Sequence, residues 1–383
     1  MGRPILQSLV LLSGVRFLLN TAYRFVYPFL PVIARGLGVP LEQAALLVTA
    51  RHMSGLLTPA ANRLVGRGEL RRRRILTGLA LFVAGCAVTV LSGAFFGALV
   101  GFALLGLSKP MFDVSSQAYI SDHVPYERRA RHLAAFEFAW SVSLLIGAPL
   151  AGWLISETDW STPFAVLGLL AALSFFLVPR FVDPDSKYAP SGSPPGPFGR
   201  QAYAFLLAVG AFSMASEIIF VVFGAWLEDS FSVSLAVLGG AALIIGAAEL
   251  TGEAGTFAFT DRLGKRRAVL IGLIVSMGSY GLLAFANSGM AMGLGLIAVA
   301  ILGFEFAYVS SIPLATALVP ESRARYLAWM VVAISIGRSI GAAVGPVVFQ
   351  AFDLKGPALT SMLLTAGALL VVATQVNGVA KQN

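Results

Sequence analysis

Long apolar stretches constrain this chain more than any other feature of its sequence. Twelve stretches carry few charges over about 18 residues or more, and about 20 helical residues cross the hydrocarbon core of a bilayer. They cover residues 5–32, 41–62, 75–92, 95–120, 133–155, 162–179, 202–227, 235–259, 268–286, 290–318, 327–351 and 357–376. Only 12% of the residues are charged, against about 25% in soluble domains. The sequence therefore predicts an all-α integral membrane protein with twelve transmembrane helices.

The distribution of basic residues predicts the orientation of these spans. The formal net charge is +8, which alone would also fit a nucleic-acid-binding protein. However, eighteen Lys and Arg residues lie in the connections after the even-numbered spans, whereas the opposite connections hold Arg35 and Lys355. By the positive-inside rule both termini face the cytoplasm. We expect a multi-pass protein of the cell inner (plasma) membrane that contacts lipid and no nucleic acid, and we expect a monomer.

The two halves of the chain resemble each other in sequence. The segment VPYERRARHLAAF (124–136) recurs as VPESRARYLAWM (319–330), and SSQAYISDHVP (115–125) recurs as SSIPLATALVP (310–320). Both pairs share an offset of about 194 to 195 residues, which indicates a duplicated six-helix unit. A Pro-, Gly- and Ser-rich segment at 179–201 reads as a cytoplasmic linker. The predicted domains are a six-helix bundle at 1–178 and a second at 202–383.

Several short motifs carry a resemblance to the major facilitator superfamily of transporters. The loop after the eighth span, Asp261-Arg262-Leu263-Gly264-Lys265-Arg266-Arg267, matches the loop motif of that family. After the second span the motif is degenerate, with Asn62-Arg63 in place of the usual Asp-Arg. Pro28-Phe29-Leu30-Pro31 in the first span and Pro125 to Arg129 before the fifth also fit. Over nearly its whole length the chain resembles a twelve-helix member of the drug/proton antiporter type.

This resemblance implies two pseudo-symmetric six-helix bundles that open a central site alternately to each side of the membrane. It implies that the basic loops lock the cytoplasmic side, and that small residues and a proline in the fifth span allow helices to approach and bend. The candidate gating residues are Asn62, Arg63, Arg129, Glu137, Gly147, Pro149, Asp261, Arg262 and Arg323. For Glu137, pairing with Arg131 or neighbouring loops is the favoured interpretation.

Charged and polar residues inside the spans predict the substrate site. An ionised side chain at the bilayer centre is unfavourable by about 3 kcal/mol on insertion scales, so these residues should face protein or water. The third, sixth, ninth and twelfth spans have no charge well inside the bilayer, as peripheral helices would require. The candidate substrate- or proton-binding residues are Arg16, Asn20, Tyr23, Arg24, Arg51, Lys109, Asp113, Glu217, Glu249, Glu305 and Arg338.

Each of these candidates also has a structural interpretation. Lys109 and Asp113 lie one turn apart and can pair, either in a cavity or simply to neutralise each other. Glu217 and Glu305 are the leading proton carriers, although either can instead be a structural partner of an arginine. Glu249 shares a helical face with Glu253, which fits a shared proton, a cation or plain helix packing.

The predicted function is secondary active transport by alternating access, most favourably proton-coupled export of an amphipathic small molecule. The fifth-span motif Ser143-x-x-x-Gly147-Ala148-Pro149 resembles the antiporter motif of the family, and Arg24 stands where drug exporters often have an acid. The fifth-span motif favours export. Arg24, together with the other cations near mid-membrane, favours an anionic or zwitterionic substrate. The alternatives are uptake, exchange or facilitated transport of an organic anion or lysolipid, and, remotely, a membrane-embedded lipid-modifying enzyme. No cofactor and no enzymatic activity are expected.

Overall fold

A computed structural model of the chain describes residues 5–65, 70–124, 132–133, 135–184, 196–285 and 289–376. Within these ranges the regular secondary structure is entirely helical. The first six predicted spans correspond to α1 (Ile5–Arg24), α2 (Val26–Leu37), α3 (Leu41–Gly55), α4 (Thr58–Val65), α5 (Arg71–Ser92), α6 (Phe95–His123), α7 (Ala135–Glu157) and α8 (Thr162–Phe181). The last six are α9 (Arg200–Phe231), α10 (Leu235–Leu263), α11 (Lys265–Phe285), α12 (Met290–Leu318), α13 (Arg323–Phe352) and α14 (Lys355–Gln375).

Ten helices in the described ranges are long and apolar enough to cross a membrane, and α1 with α2 forms an eleventh span bent by 56°. The second predicted span differs from the rest, because it consists of two shorter helices of 15 and 8 residues. The polypeptide is therefore a multi-pass membrane protein of the predicted all-α class.

Prolines account for both interrupted spans. A proline has no N–H to offer the carbonyl four residues earlier, and its ring clashes with that carbonyl. Helix α1 ends at Arg24, four residues before Pro28, and α3 ends at Gly55, four residues before Pro59. The Gly55 carbonyl instead accepts a hydrogen bond of 2.6 Å from the hydroxyl of Thr58. Each break thus lies one turn before a proline, whereas Pro110, Pro313 and Pro346 lie inside continuous helices.

Helix α7 departs from regular α-helical geometry in its middle. Residues Ser143–Gly147 form a π-helical turn, and Pro149 lies at the start of the α-helical turns that follow. A β-carbon at Gly147 would lie only 2.3 Å from the Thr21 hydroxyl oxygen, so α1 and α7 approach each other closely there. Departures of this kind are frequent at functional sites in membrane helices.

The chain divides into two compact units, which are described separately. The first comprises Met1–Gly192 with Leu235–Leu243, and the second comprises Ser193–Ser234 with Ile244–Asn383. In the second unit a buried apolar cluster includes Phe205, Phe212 and Tyr326. Part of the predicted linker, 185–195, lies outside the described residues.

The same helix contacts recur in the two units at the offset of the sequence repeat. A β-carbon at Gly78 of α5 would lie 2.9 Å from the Ser108 carbonyl oxygen of α6. At Gly272 of α11 it would lie 2.5 Å from the Gly303 carbonyl oxygen of α12. The offsets are 272 − 78 = 194 and 303 − 108 = 195 residues. These glycines let the paired helices pack backbone to backbone, as small residues do in membrane bundles.

Candidate functional site

Polar side chains line facing surfaces of α1 and α6 in the first unit. On α1 they are spaced four residues apart at Arg16, Asn20 and Arg24, and on α6 at Lys109, Asp113 and Gln117. Residues spaced by four lie on one face of a helix. The two faces meet where the Arg16 Nε atom lies 3.4 Å from the Asp113 Oδ1 atom.

Ion pairs join three helices at this point. Lys109 and Asp113 form the predicted pair across one turn of α6. Arg16 reaches further, to α7, where its guanidinium lies 2.6 Å from the Glu137 Oε2 atom. The other Glu137 oxygen accepts a hydrogen bond of 2.7 Å from the Gln117 amide. Arg16 and Gln117 are therefore partners of Glu137 among the described residues. Arg131 and residues 125–130 of the preceding loop, which the sequence favours as partners, lie outside the described residues.

In the described part of this unit, all four buried cations lie against aromatic rings. The guanidinium carbons of Arg16, Arg24 and Arg51 each lie 4.3 Å from a ring centroid, those of Phe136, Trp140 and Tyr23 respectively. The Lys109 ammonium lies between two rings, 5.2 Å from Trp140 and 5.7 Å from Tyr23. A ring face stabilises a cation without cancelling its formal charge. The site therefore retains positive charge.

Arg51 connects α3 to the break between α1 and α2. It donates a hydrogen bond of 2.6 Å to the Tyr23 carbonyl in the last turn of α1, and one of 3.0 Å to the Tyr27 hydroxyl. A cation suits a helix C-terminus, where carbonyls lack helical partners. The side chain is buried, and no carboxylate of the described residues lies within ion-pair distance of it.

Asn20 is the least satisfied polar side chain of this face. It is fully buried, and in the described part of the chain neither atom of its amide has a hydrogen-bond partner. Its neighbours Arg16 and Tyr23 both contact α6, so Asn20 lies between two contacts with that helix. A buried polar group without a partner costs about 1–3 kcal/mol, which makes Asn20 a candidate ligand-binding residue.

The second unit contains a sparser set of charges. Arg338 on α13 lies 3.8 Å from Glu217 on α9, and its guanidinium lies 5.9 Å from the Phe304 ring centroid. Glu217 is buried, and Gly341 makes room for it, since a β-carbon there would lie 2.9 Å from the Glu217 Cβ atom. The predicted alternative of an arginine partner for Glu217 is thus present in the structure.

Two further buried carboxylates of this unit lie on facing helices. A β-carbon at Gly252 of α10 would lie 3.0 Å from the Glu305 Cβ atom of α12. Glu249 precedes Gly252 by one turn and therefore shares its face. Both Glu249 and Glu305 are almost completely buried. Such a pairing of helices can hold protons at bilayer depth.

The predicted gating residues are dispersed. Arg63, Asp261, Arg262 and Arg323 are exposed, and no ion pair joins any of them to a described residue, while Asn62 is partly buried. Gly147 and Pro149 lie in the irregular middle of α7. Arg129 lies outside the described residues.

Sequence reasoning missed Gln117 and the contacts that Phe136 and Trp140 make with arginines. Gln117 follows Asp113 by one turn, so the spacing of 109, 113 and 117 was an available signal. Phe136 and Trp140 carried no signal, because their rings and carbonyls contact arginines more than 110 residues away in sequence, at |i−j| of 120 and 116.

Apolar membrane-spanning helices that bury charged side chains between them are typical of membrane transporters. The sequence profile of the Major Facilitator Superfamily matches residues 12–248. The chain belongs to that family, whose members are transporters and not enzymes.

Relatives and solved structures agree with this assignment. An uncharacterised MFS-type transporter of Bacillus subtilis, YwfA, is 25% identical over 75% of this chain and 72% of its own. The class C tetracycline resistance protein of Escherichia coli is 26% identical over 74% of this chain and 75% of its own. The crystal structure of a bacterial homologue of the iron transporter ferroportin shares the fold, with a TM-score of 0.76, 18% identity and coverage of 97% of this chain and 99% of that one.

Proposed function

We propose that this transporter works by alternating access and exports an anionic or zwitterionic amphipathic small molecule in exchange for protons. One observation carries the charge class. Well inside the spans of the first unit lie four buried cations, Arg16, Arg24, Arg51 and Lys109, and two carboxylates, Asp113 and Glu137. Ring faces stabilise these cations without cancelling their formal charge, so the region attracts an anion. We assign the anionic group of the substrate to this region, with Asn20 and Tyr23 as further polar contacts.

The second unit supports the proton-coupling part of the proposal. Glu217 and Glu305 are buried carboxylates on different helices, and the buried Glu249 shares a helical face with Gly252, which packs against Glu305. Protonating Glu217 would weaken its ion pair with Arg338. Proton binding would in this way alter a contact between α9 and α13. Intramembrane carboxylates of this kind are typical of proton relays in transporters.

Further parts of the proposal concern direction, gating and placement. One relative is named for tetracycline resistance, and removal of a drug from the cell would produce resistance, which favours export. We assign gating to the irregular middle of α7 and to the basic connections that hold Asn62, Arg63, Arg129, Asp261, Arg262 and Arg323. We also propose a monomer in the inner (plasma) membrane with both termini cytoplasmic and two six-helix domains joined at 179–201.

Flux in proteoliposomes tests this function. Purified protein is reconstituted with a pH gradient in either direction and exposed to cationic, anionic and zwitterionic amphiphiles. Anionic or zwitterionic compounds should move against the direction of proton flow. The combined variant Glu217→Gln and Glu305→Gln should lose gradient-driven flux and keep exchange down a substrate gradient.

The control is Glu321→Gln, which neutralises an exposed glutamate of the same unit and should transport normally. Gradient-driven flux that survives in the double variant would reject the coupling role. Transport restricted to cations would reject the charge class, and movement with the protons would favour the uptake alternative.

A further inference from the structure

A complete carboxylate-binding site lies between α1 and α6. The Arg16 guanidinium and the Gln117 amide come from these two helices, and each donates to a different oxygen of the Glu137 carboxylate, at 2.6 and 2.7 Å. An arginine with a second donor is a strong arrangement for recognising a planar carboxylate.

The donors of this site are fixed in place. The Arg16 side chain is only 5% exposed. A second guanidinium nitrogen donates a hydrogen bond of 2.9 Å to the Phe136 carbonyl, and the guanidinium stacks on the ring of the same residue. The Asp113 carboxylate lies 3.4 Å from the Arg16 Nε atom and also forms an ion pair with Lys109. The site is therefore preorganised for an anion and does not depend on Glu137 for its shape.

Glu137 is the most exposed member of the arrangement. The Glu137 side chain is 49% exposed, whereas that of Asp113 is 14% exposed. Glu137 lies just before the turn at Phe138 and six residues before the irregular Ser143–Gly147 segment. A glutamate side chain has three rotatable bonds, so its carboxylate can leave Arg16 for water without any change in the backbone.

We infer that Arg16 and Gln117 bind the carboxylate of the substrate, and that Glu137 occupies this carboxylate-binding site while no substrate is bound. This inference rests on the proposed anionic or zwitterionic substrate and adds the chemical group, a carboxylate, and its two ligands. Exchange of one carboxylate for another leaves the charge at Arg16 unchanged at every step. The guanidinium nitrogen that binds Glu137 therefore keeps a carboxylate partner whether or not the substrate is bound.

This arrangement makes Glu137 a competitor of the substrate. The tethered Glu137 carboxylate acts at a high effective concentration. The apparent affinity for a ligand equals the intrinsic affinity multiplied by the fraction of protein in which Glu137 does not occupy the site. Removing the charge of Glu137 should therefore tighten carboxylate binding, whereas a purely structural ion pair would give no change or a loss. The two interpretations differ in the sign of one measurement.

The test is equilibrium dialysis of radiolabelled 4-phenylbutyrate against purified full-length protein in lipid nanodiscs, with empty nanodiscs as the blank. Glu137→Gln keeps the shape and removes the charge, and it should bind the probe about three- to tenfold more tightly than the unmodified protein. Gln117→Leu and Arg16→Gln should each bind it more weakly. Glu157→Gln, at the exposed far end of the same helix, should bind it as the unmodified protein does.

Unchanged or weaker binding in Glu137→Gln overturns the inference, as does the absence of carboxylate binding in both proteins. Thermal unfolding of each variant shows whether a loss of binding reflects a loss of folded protein. Because binding depends on neither direction nor a proton gradient, failure here is distinct from failure of the flux experiment. Equal binding of 4-phenylbutylamine would show that the site does not select charge, and would also overturn the inference.

Discussion

At the scale of single residues, the buried arginines of the first unit are held by ring faces and carbonyls as well as by acids. Arg24 illustrates this, since its guanidinium stacks on Trp140 and donates a hydrogen bond of 3.4 Å to the Trp140 carbonyl. Reversing the charge in Arg24→Glu should turn the preference of the site from anions toward cations. The ratio of anion to cation transport, measured in proteoliposomes with a matched pair of amphiphiles, should fall by about tenfold or more, equivalent to ~1.4 kcal/mol.

A graded variant separates charge from packing at this position. Arg24→Gln removes the charge without introducing an acid, so its selectivity should lie between those of the unmodified protein and Arg24→Glu. A ratio that stays constant across the series would show that Arg24 does not contact the substrate.

At the scale of helices, small residues decide which elements approach each other. Gly147 of α7 faces Thr21 of α1, and Gly341 of α13 faces Met214 of α9. These contacts are 341 − 147 = 194 residues apart in sequence, the offset of the repeat. A β-carbon at Gly341 would lie 2.7 Å from the Met214 carbonyl oxygen, which belongs to a rigid helix. Gly341→Ala should therefore destabilise the protein by about 1–3 kcal/mol.

Thermal unfolding of the purified protein in one detergent measures this effect. The matched control is Gly367→Ala on α14, where an added β-carbon meets no atom within 4 Å. There the substitution should be neutral or stabilising by up to about 1 kcal/mol, because alanine favours a helix. Equal melting temperatures for the two variants would contradict the close packing of α9 and α13.

At the scale of the whole molecule, the distribution of basic residues predicts which connections face the cytoplasm. In a Cys86→Ser background, Ser92→Cys and Lys265→Cys place a thiol at exposed helix ends of opposite predicted sidedness. A membrane-impermeant maleimide added to intact cells should label the first variant and should label the second only after the membrane is permeabilised. Cys86 is buried and is the single cysteine of the sequence, so replacing it leaves the introduced thiol as the sole target of the maleimide. The opposite labelling pattern would invert the proposed orientation.

The sequence by itself determined the features that depend on neighbours along the chain. Twelve apolar stretches follow from composition, and the Lys109–Asp113 pair follows from a spacing of four. The repeat predicted equivalent contacts in both halves, and glycines at the same offset provide them. Such features are local or periodic, so the physics of a single helix is sufficient to predict them.

Only the tertiary structure decided which charged groups meet. Glu137 and Arg16 are 121 residues apart, and nothing in the spacing of either predicts that they pair. The stacking of Arg16 on Phe136 and the burial of Asn20 between two contacts with α6 depend in the same way on how α1, α6 and α7 pack. Helices in a membrane choose partners through side-chain fit rather than through hydrophobicity, since lipid and leucine are equally apolar. For this reason composition and periodicity specify the helices of this protein, while the chemistry of its interior is specified by their packing.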